Sequence, residues 1–135
     1  MIITSLLDTA TRPAPLTGLI ADGKVAVIGH SDGGVSAAGV AFNDEYSDPR
    51  IGAAVILSGA EGFFPGSWFE VRSPALLAIQ GTADEVNPFG ASQTLYADAT
   101  GAKWLVGVTD GSHTSPFTTD PVRTQARWPE APYRG

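Results

Sequence analysis

The sequence predicts an α/β fold, a parallel sheet with helices on both faces. Four short runs, residues 24–29, 51–58, 75–80 and 103–108, are apolar at successive rather than alternate positions. That is how a strand covered on both sides reads. Helical patterns separate the first run from the second and the third from the fourth. A strand, a helix and a second strand close as a right-handed crossover between parallel strands. With 135 residues, 43% of them hydrophobic and 16% charged, the chain fits one domain with a packed core.

Taken in order, Ile2, Ile3, Leu6, Leu7 and Ala10 follow the spacing of one helix face, which predicts a short amphipathic helix over residues 2–10. Pro13-Ala14-Pro15 ends it, because proline lacks a backbone donor and restricts the residue before it. A loop leads to the first strand, Lys24 to Gly29, and a sharp turn opens a helix of small residues from Asp32 to Phe42. The second strand spans Ile51 to Ser58, the third Ala75 to Gln80, the next helix Phe89 to Ala99 and the fourth strand Lys103 to Val108. The connection from Gly59 to Arg72 is rich in aromatics, with Phe63, Phe64, Trp68 and Phe69 around Pro65 and Gly66. Past Thr114 the composition turns to Pro, Thr and Arg without periodicity. The expected organisation is a partial domain over residues 1–117 and an extended or poorly ordered tail over 118–135.

Charge and composition exclude several functions. A net charge of -6 disfavours nucleic acid and anionic membranes as partners, and a small neutral substrate suits it better. There is no cysteine, hence no disulfide, thiol nucleophile or thiolate metal site. No stretch approaches the roughly 18 apolar residues of a membrane span. The amino terminus has no basic n-region, and Asp8 interrupts its apolar run, which predicts a cytoplasmic chain without a signal peptide.

Gly29-His30-Ser31-Asp32-Gly33 matches G-x-S-x-G between a strand and a helix, where a serine nucleophile stands on a strained turn. Gly29 and Gly33 provide the small residues that let strand and helix approach, and Gly34 adds room. The helix start lends its positive dipole end, and the backbone NH of Asp32 becomes an oxyanion donor. Without chemistry, the same residues are a glycine-rich strand-to-helix turn.

Gly81-Thr82-Ala83-Asp84-Glu85-Val86-Asn87-Pro88 follows the third strand, and functional groups gather at the carboxyl ends of parallel strands. Asp84 is the candidate acid that orients a histidine. Glu85 is its rival, and an Asx turn capping the next helix is the structural alternative. Of the two histidines, His30 lies inside the turn, which directs its side chain away from the serine. His113, in Asp110-Gly111-Ser112-His113 past the fourth strand, is the candidate base. The order Ser31, Asp84, His113 is that of serine hydrolases built on such a sheet. Phe63, Phe64 and Trp68 either line an acyl or aromatic subsite or plug the core beneath their loop.

Together, GHSDGG, GTADEVNP and DGSH resemble the carboxyl-terminal half of an α/β-hydrolase, over about residues 20 to 117. The resemblance is to actinobacterial chlorophyllase-like, dienelactone-hydrolase-like and polyester-hydrolase-like esterases. It implies a serine esterase with Ser31 as nucleophile, Asp84 as acid and His113 as base, and with no metal or organic cofactor. The dienelactone hydrolases use cysteine, and Ser31 sets this chain apart from them. By the same resemblance the four strands correspond to the fifth through eighth of about eight. The earlier strands and the loop carrying a second oxyanion donor have no counterpart, which implies a truncated hydrolase of reduced activity. The competing expectation is a catalytically silent remnant that acts as a binding or assembly module. An uncovered edge on the first strand would favour self-association or a homodimer.

Overall fold

The computed structural model describes residues 14–16, 18–19, 25–62 and 64–116. The four apolar runs are strands: β1 (Val25–His30), β2 (Ile51–Leu57), β3 (Ala75–Gly81) and β4 (Lys103–Val108). They form one sheet in the order β1-β2-β3-β4, with every pairing parallel. Helix α1 (Asp32–Phe42) connects β1 to β2, and α2 (Phe89–Asp98) connects β3 to β4. The proline segment forms a single 3-10 turn, Ala14–Leu16. The helix expected over residues 2–10, the tail over 118–135 and Phe63 lie outside the described residues.

Register decides which side chains share a face. Val27, Ala54 and Leu76 form one row and Ile56, Ala78 and Leu105 belong to the next. Ala37, Ala38, Ala41 and Phe42 of α1 and Leu95 of α2 pack with these residues in one core. Among the described residues both α-helices lie on this face, and not on both faces as the sequence predicts, because the two crossovers step across the sheet in the same direction and right-handed connections then place their helices on the same side. The opposite face carries the in-register row Ile28, Val55, Leu77 and Trp104. Its ends are open, Ile28 being 69% and Trp104 53% exposed.

Helix α1 is built of small residues because it is covered twice. The sheet lies on one side, and the connection after β2 runs along the other. A Cβ on Gly34 would stand 3.1 Å from the Gly59 Cα, and one on Gly39 would stand 2.9 Å from the Phe64 ring. At the far end Trp68 bridges to Asn43, and the Phe69 NH donates to the Phe42 carbonyl at 2.9 Å. Buried Asn43 secures this end, its amide donating to the Pro65 carbonyl at 3.1 Å and its oxygen accepting the Glu45 NH at 3.0 Å. Arg72 then ties the connection to the start of β2 through the carbonyls of Asp48 and Ile51.

Candidate active site

Four turns meet at the carboxyl ends of the strands, where a parallel sheet places its functional groups. Ser31 follows β1 with φ 54° and ψ -124°, a backbone conformation that costs on the order of 1 to 3 kcal/mol for a residue with a side chain. The turn is as tight as the motif requires, since a Cβ on Gly29 would overlap the Gly33 carbonyl. A Cβ on Gly33 itself meets nothing within 4 Å, which corrects the expectation that its size matters. Gly34 is the residue whose smallness admits the neighbouring turn. Ser31 occupies the N-cap of α1, where a serine oxygen ordinarily accepts a helix NH, yet its side chain makes no capping hydrogen bond. The hydroxyl is therefore not spent on its own helix. Asp32 is the first residue of α1, and its NH belongs to the first turn, which has no intrahelical carbonyl to bond.

Asp84, buried after β3, faces inward, while the rival Glu85 is exposed. Its Oδ1 accepts the NH groups of Val86 at 2.9 Å and Asn87 at 2.8 Å, so the Asx turn is present. The same carboxylate also accepts from Nδ1 of His113, at 3.1 Å to Oδ1 and 2.9 Å to Oδ2. Burial pushes the Asp84 carboxyl up, but the hydrogen bonds from His113 and the two backbone NH groups outweigh it and hold the pKa below its ordinary value. Asp84 is thus a carboxylate, and Nδ1 of His113 carries the proton it accepts. That tautomer leaves Nε2 as the basic nitrogen.

The loop bearing His113 approaches β3 closely, because a Cβ on Gly81 would overlap the Gly111 carbonyl. The Ala83 NH donates to that carbonyl at 3.0 Å. His113 and the Ser31 turn meet through His30, whose ring centroid lies 4.7 Å from that of His113. Among the described residues no hydrogen bond joins the Ser31 hydroxyl to the imidazole.

Some residues of the site were not singled out in the sequence. Gln80, fully buried in β3, donates to Asp84 Oδ2 at 3.2 Å and to the Asn87 carbonyl, and accepts from the Ser92 hydroxyl. Ser58, fully buried after β2 with φ 47°, donates to the His113 carbonyl at 3.0 Å and accepts from the Asn87 amide at 2.7 Å. The available signals were a glutamine inside an apolar strand and a serine at a strand's carboxyl end.

Phe64, Trp68 and Phe69 sit elsewhere. Helix α1 has 11 residues and is about 16 Å long. Trp68 lies beside its far end, within 6.3 Å of both Phe64 and Phe69 between ring centroids, and Phe64 is 5.4 Å from Tyr46. The structure does not bring Trp68 to Ser31, and its packing against the core fits the plug rather than the pocket wall.

Solved structures share this fold. The chain is similar to the esterase domain of a Rhodothermus marinus protein, with TM-score 0.53, 17% identity, and coverage of 67% of this chain and 51% of that one. For the Bacillus cereus carboxylesterase the values are 0.55, 16%, 70% and 44%. For the propionate-bound esterase Est2 of Thermogutta terrifontis they are 0.53, 20%, 67% and 46%. The chain thus spans about half the length of the esterases it matches. No family model matches the sequence, and no curated protein does. At these identities the likeness defines the fold alone, a four-stranded parallel α/β sheet corresponding to part of these larger structures.

Proposed function

We propose that this chain is a serine hydrolase acting on carboxylic esters through an acyl-enzyme. Nε2 of His113 takes the proton from the Ser31 hydroxyl as Oγ attacks the ester carbonyl. The backbone NH of Asp32 donates to the oxyanion that forms. His113 then returns its proton to the departing alcohol oxygen as the C–O bond breaks, leaving an acyl group on Ser31. Water, deprotonated by His113, attacks the acyl carbonyl, and the carboxylic acid leaves as Ser31 regains its proton. Asp84 keeps its negative charge throughout and stabilises the imidazolium. None of these steps uses a metal or an organic cofactor.

The observation that carries this reading is the pairing of Asp84 with His113 at the same end of the sheet as a strained serine whose hydroxyl does not cap its helix. The esterase fold of the solved neighbours supports a small-molecule ester as substrate. Within the reading, the motifs around Ser31, Asp84 and His113 resemble those of chlorophyllase-like esterases. The chain is also proposed to self-associate through β1, an edge of the sheet among the described residues.

A fluorophosphonate probe tests the nucleophile. It should label the wild-type chain, and Ser31→Ala should abolish the labelling. Equal labelling of both proteins overturns the assignment.

A further inference from the structure

The carbonyl oxygen of His113 accepts two hydrogen bonds, from Nε2 of His30 at 3.0 Å and from the Ser58 hydroxyl at 3.0 Å. The donors come from different strand ends, His30 closing β1 and Ser58 following β2. A carbonyl oxygen has two lone pairs, and two donors fill both. Because a carbonyl only accepts, Nε2 of His30 carries a proton. Ser58 is itself held on three sides. Its NH donates to the Ile79 carbonyl at 2.9 Å, its carbonyl accepts the Asn87 amide, and its φ of 47° turns the hydroxyl toward the neighbouring loop.

From this geometry we infer that His30 and Ser58 are positioning residues, a two-point clamp that sets the place of the His113 imidazole by gripping its backbone. The inference rests on the esterase reading above. Asp84 fixes one end of the ring through Nδ1, which leaves the residue free to swing about that bond unless its backbone is also held. The clamp holds it. His30 thus acts on the base without exchanging a proton with Ser31, and the residue adjoining the nucleophile in sequence holds the base in space. Placement errors of about 1 Å at such a site cost up to roughly 10²-fold in rate, so a clamp made of hydrogen bonds is worth a measurable part of turnover.

The test compares His30→Phe, which keeps a ring and loses the donor, His30→Gln, which restores an NH at a similar reach, and Ser58→Ala. Each is first shown to melt cooperatively. Fluorophosphonate inactivation is then resolved into a binding constant and a maximal rate. His30→Phe and Ser58→Ala should lower the maximal rate about tenfold each, the worth of one well-placed hydrogen bond, with the binding constant unchanged. His30→Gln should recover most of the loss. In parallel, the low-field proton NMR signal of the His113 Nδ1–H should exchange faster with water in His30→Phe and Ser58→Ala than in wild type. If His30→Phe does not fold, Ser58→Ala decides through the same two readouts. Wild-type protein that the probe fails to label at Ser31 overturns the esterase reading, and the exchange rate alone then decides the clamp. Unchanged exchange in both variants, or equal behaviour of His30→Phe and His30→Gln, overturns the clamp.

Discussion

Asp84 holds His113 with both carboxylate oxygens, at 3.1 and 2.9 Å from Nδ1, although 29 residues separate the two in the chain. The carboxylate arrives already occupied by two backbone NH groups and by Gln80. It therefore has little freedom to move, and the ring it orients inherits that fixity.

Asp84→Asn should preserve the fold and remove the activity. An asparagine oxygen still accepts the NH groups of Val86 and Asn87, but its uncharged amide no longer stabilises an imidazolium or enforces the Nδ1–H tautomer. Ester turnover should fall on the order of 10³- to 10⁴-fold while the melting curve stays cooperative. Turnover within a factor of two of wild type would show that Asp84 is only a turn residue.

Acid should destabilise the protein through two carboxylates. The Arg50 guanidinium, which bonds Asp48 at 2.8 and 2.5 Å, lowers that carboxyl to about 2 from 3.8, and Asp84 is likewise held low. A carboxyl with a depressed folded pKa stabilises above its unfolded value, and that stability drains away as pH falls through the folded one. Melting temperature should thus decline from about pH 4 toward pH 2. Arg50→Ala should raise the Asp48 pKa toward 3.8, read from its carboxyl carbon shift in an NMR titration. A shift that titrates unchanged would show that Arg50 is not the cause.

Two glycines flanking the Ser31 turn should respond in opposite ways. Gly29→Ala forces a methyl into the Gly33 carbonyl and should eliminate probe labelling, either by unfolding or by displacing Ser31. Gly33→Ala meets open space inside a helix. It should be neutral or stabilise by about 0.5 to 1 kcal/mol, visible as a higher denaturation midpoint. A destabilised Gly33→Ala protein would contradict the geometry of this turn.

Trp68 should matter for stability rather than for substrate. Trp68→Ala removes a ring packed among Phe64, Phe69 and the core, and should cost about 3 kcal/mol in urea unfolding. KM for a short p-nitrophenyl ester should stay within about twofold, as no contact made only with substrate is lost. A large rise in KM at unchanged stability would return Trp68 to the substrate site.

The edge at β1 should recruit another strand. Sedimentation should show a concentration-dependent dimer or larger species, and Ile28→Lys should shift it toward monomer, since an edge lysine opposes strand addition. A monomer at every concentration would refute the association.

The strand and helix limits were legible almost to the residue, because runs such as Val25–Ile28 and Ala75–Ile79 are apolar without interruption and glycine or proline marks their ends. Ser31, Asp84 and His113 were legible as types at strand ends. What stayed hidden depends on which turns touch. The sequence shows that Gly33 and Gly34 are both small, but only the path of the connection after β2 makes Gly34 the crowded one. The same path carries Trp68 away from Ser31. The grip of His30 and Ser58 on His113 joins segments 83 and 55 residues apart, beyond the reach of any local pattern.

Those separations also set when the site comes into being. The bond across 83 residues joins the end of β1 to the turn after β4 and closes only after all four strands have paired, and such long-range closures belong to the late, slow events of folding. A sheet without β1 paired lacks the bond from His30 to the His113 carbonyl. Under the proposed esterase reading, turnover would gauge completed assembly, and refolding followed by activity should lag refolding followed by helix content.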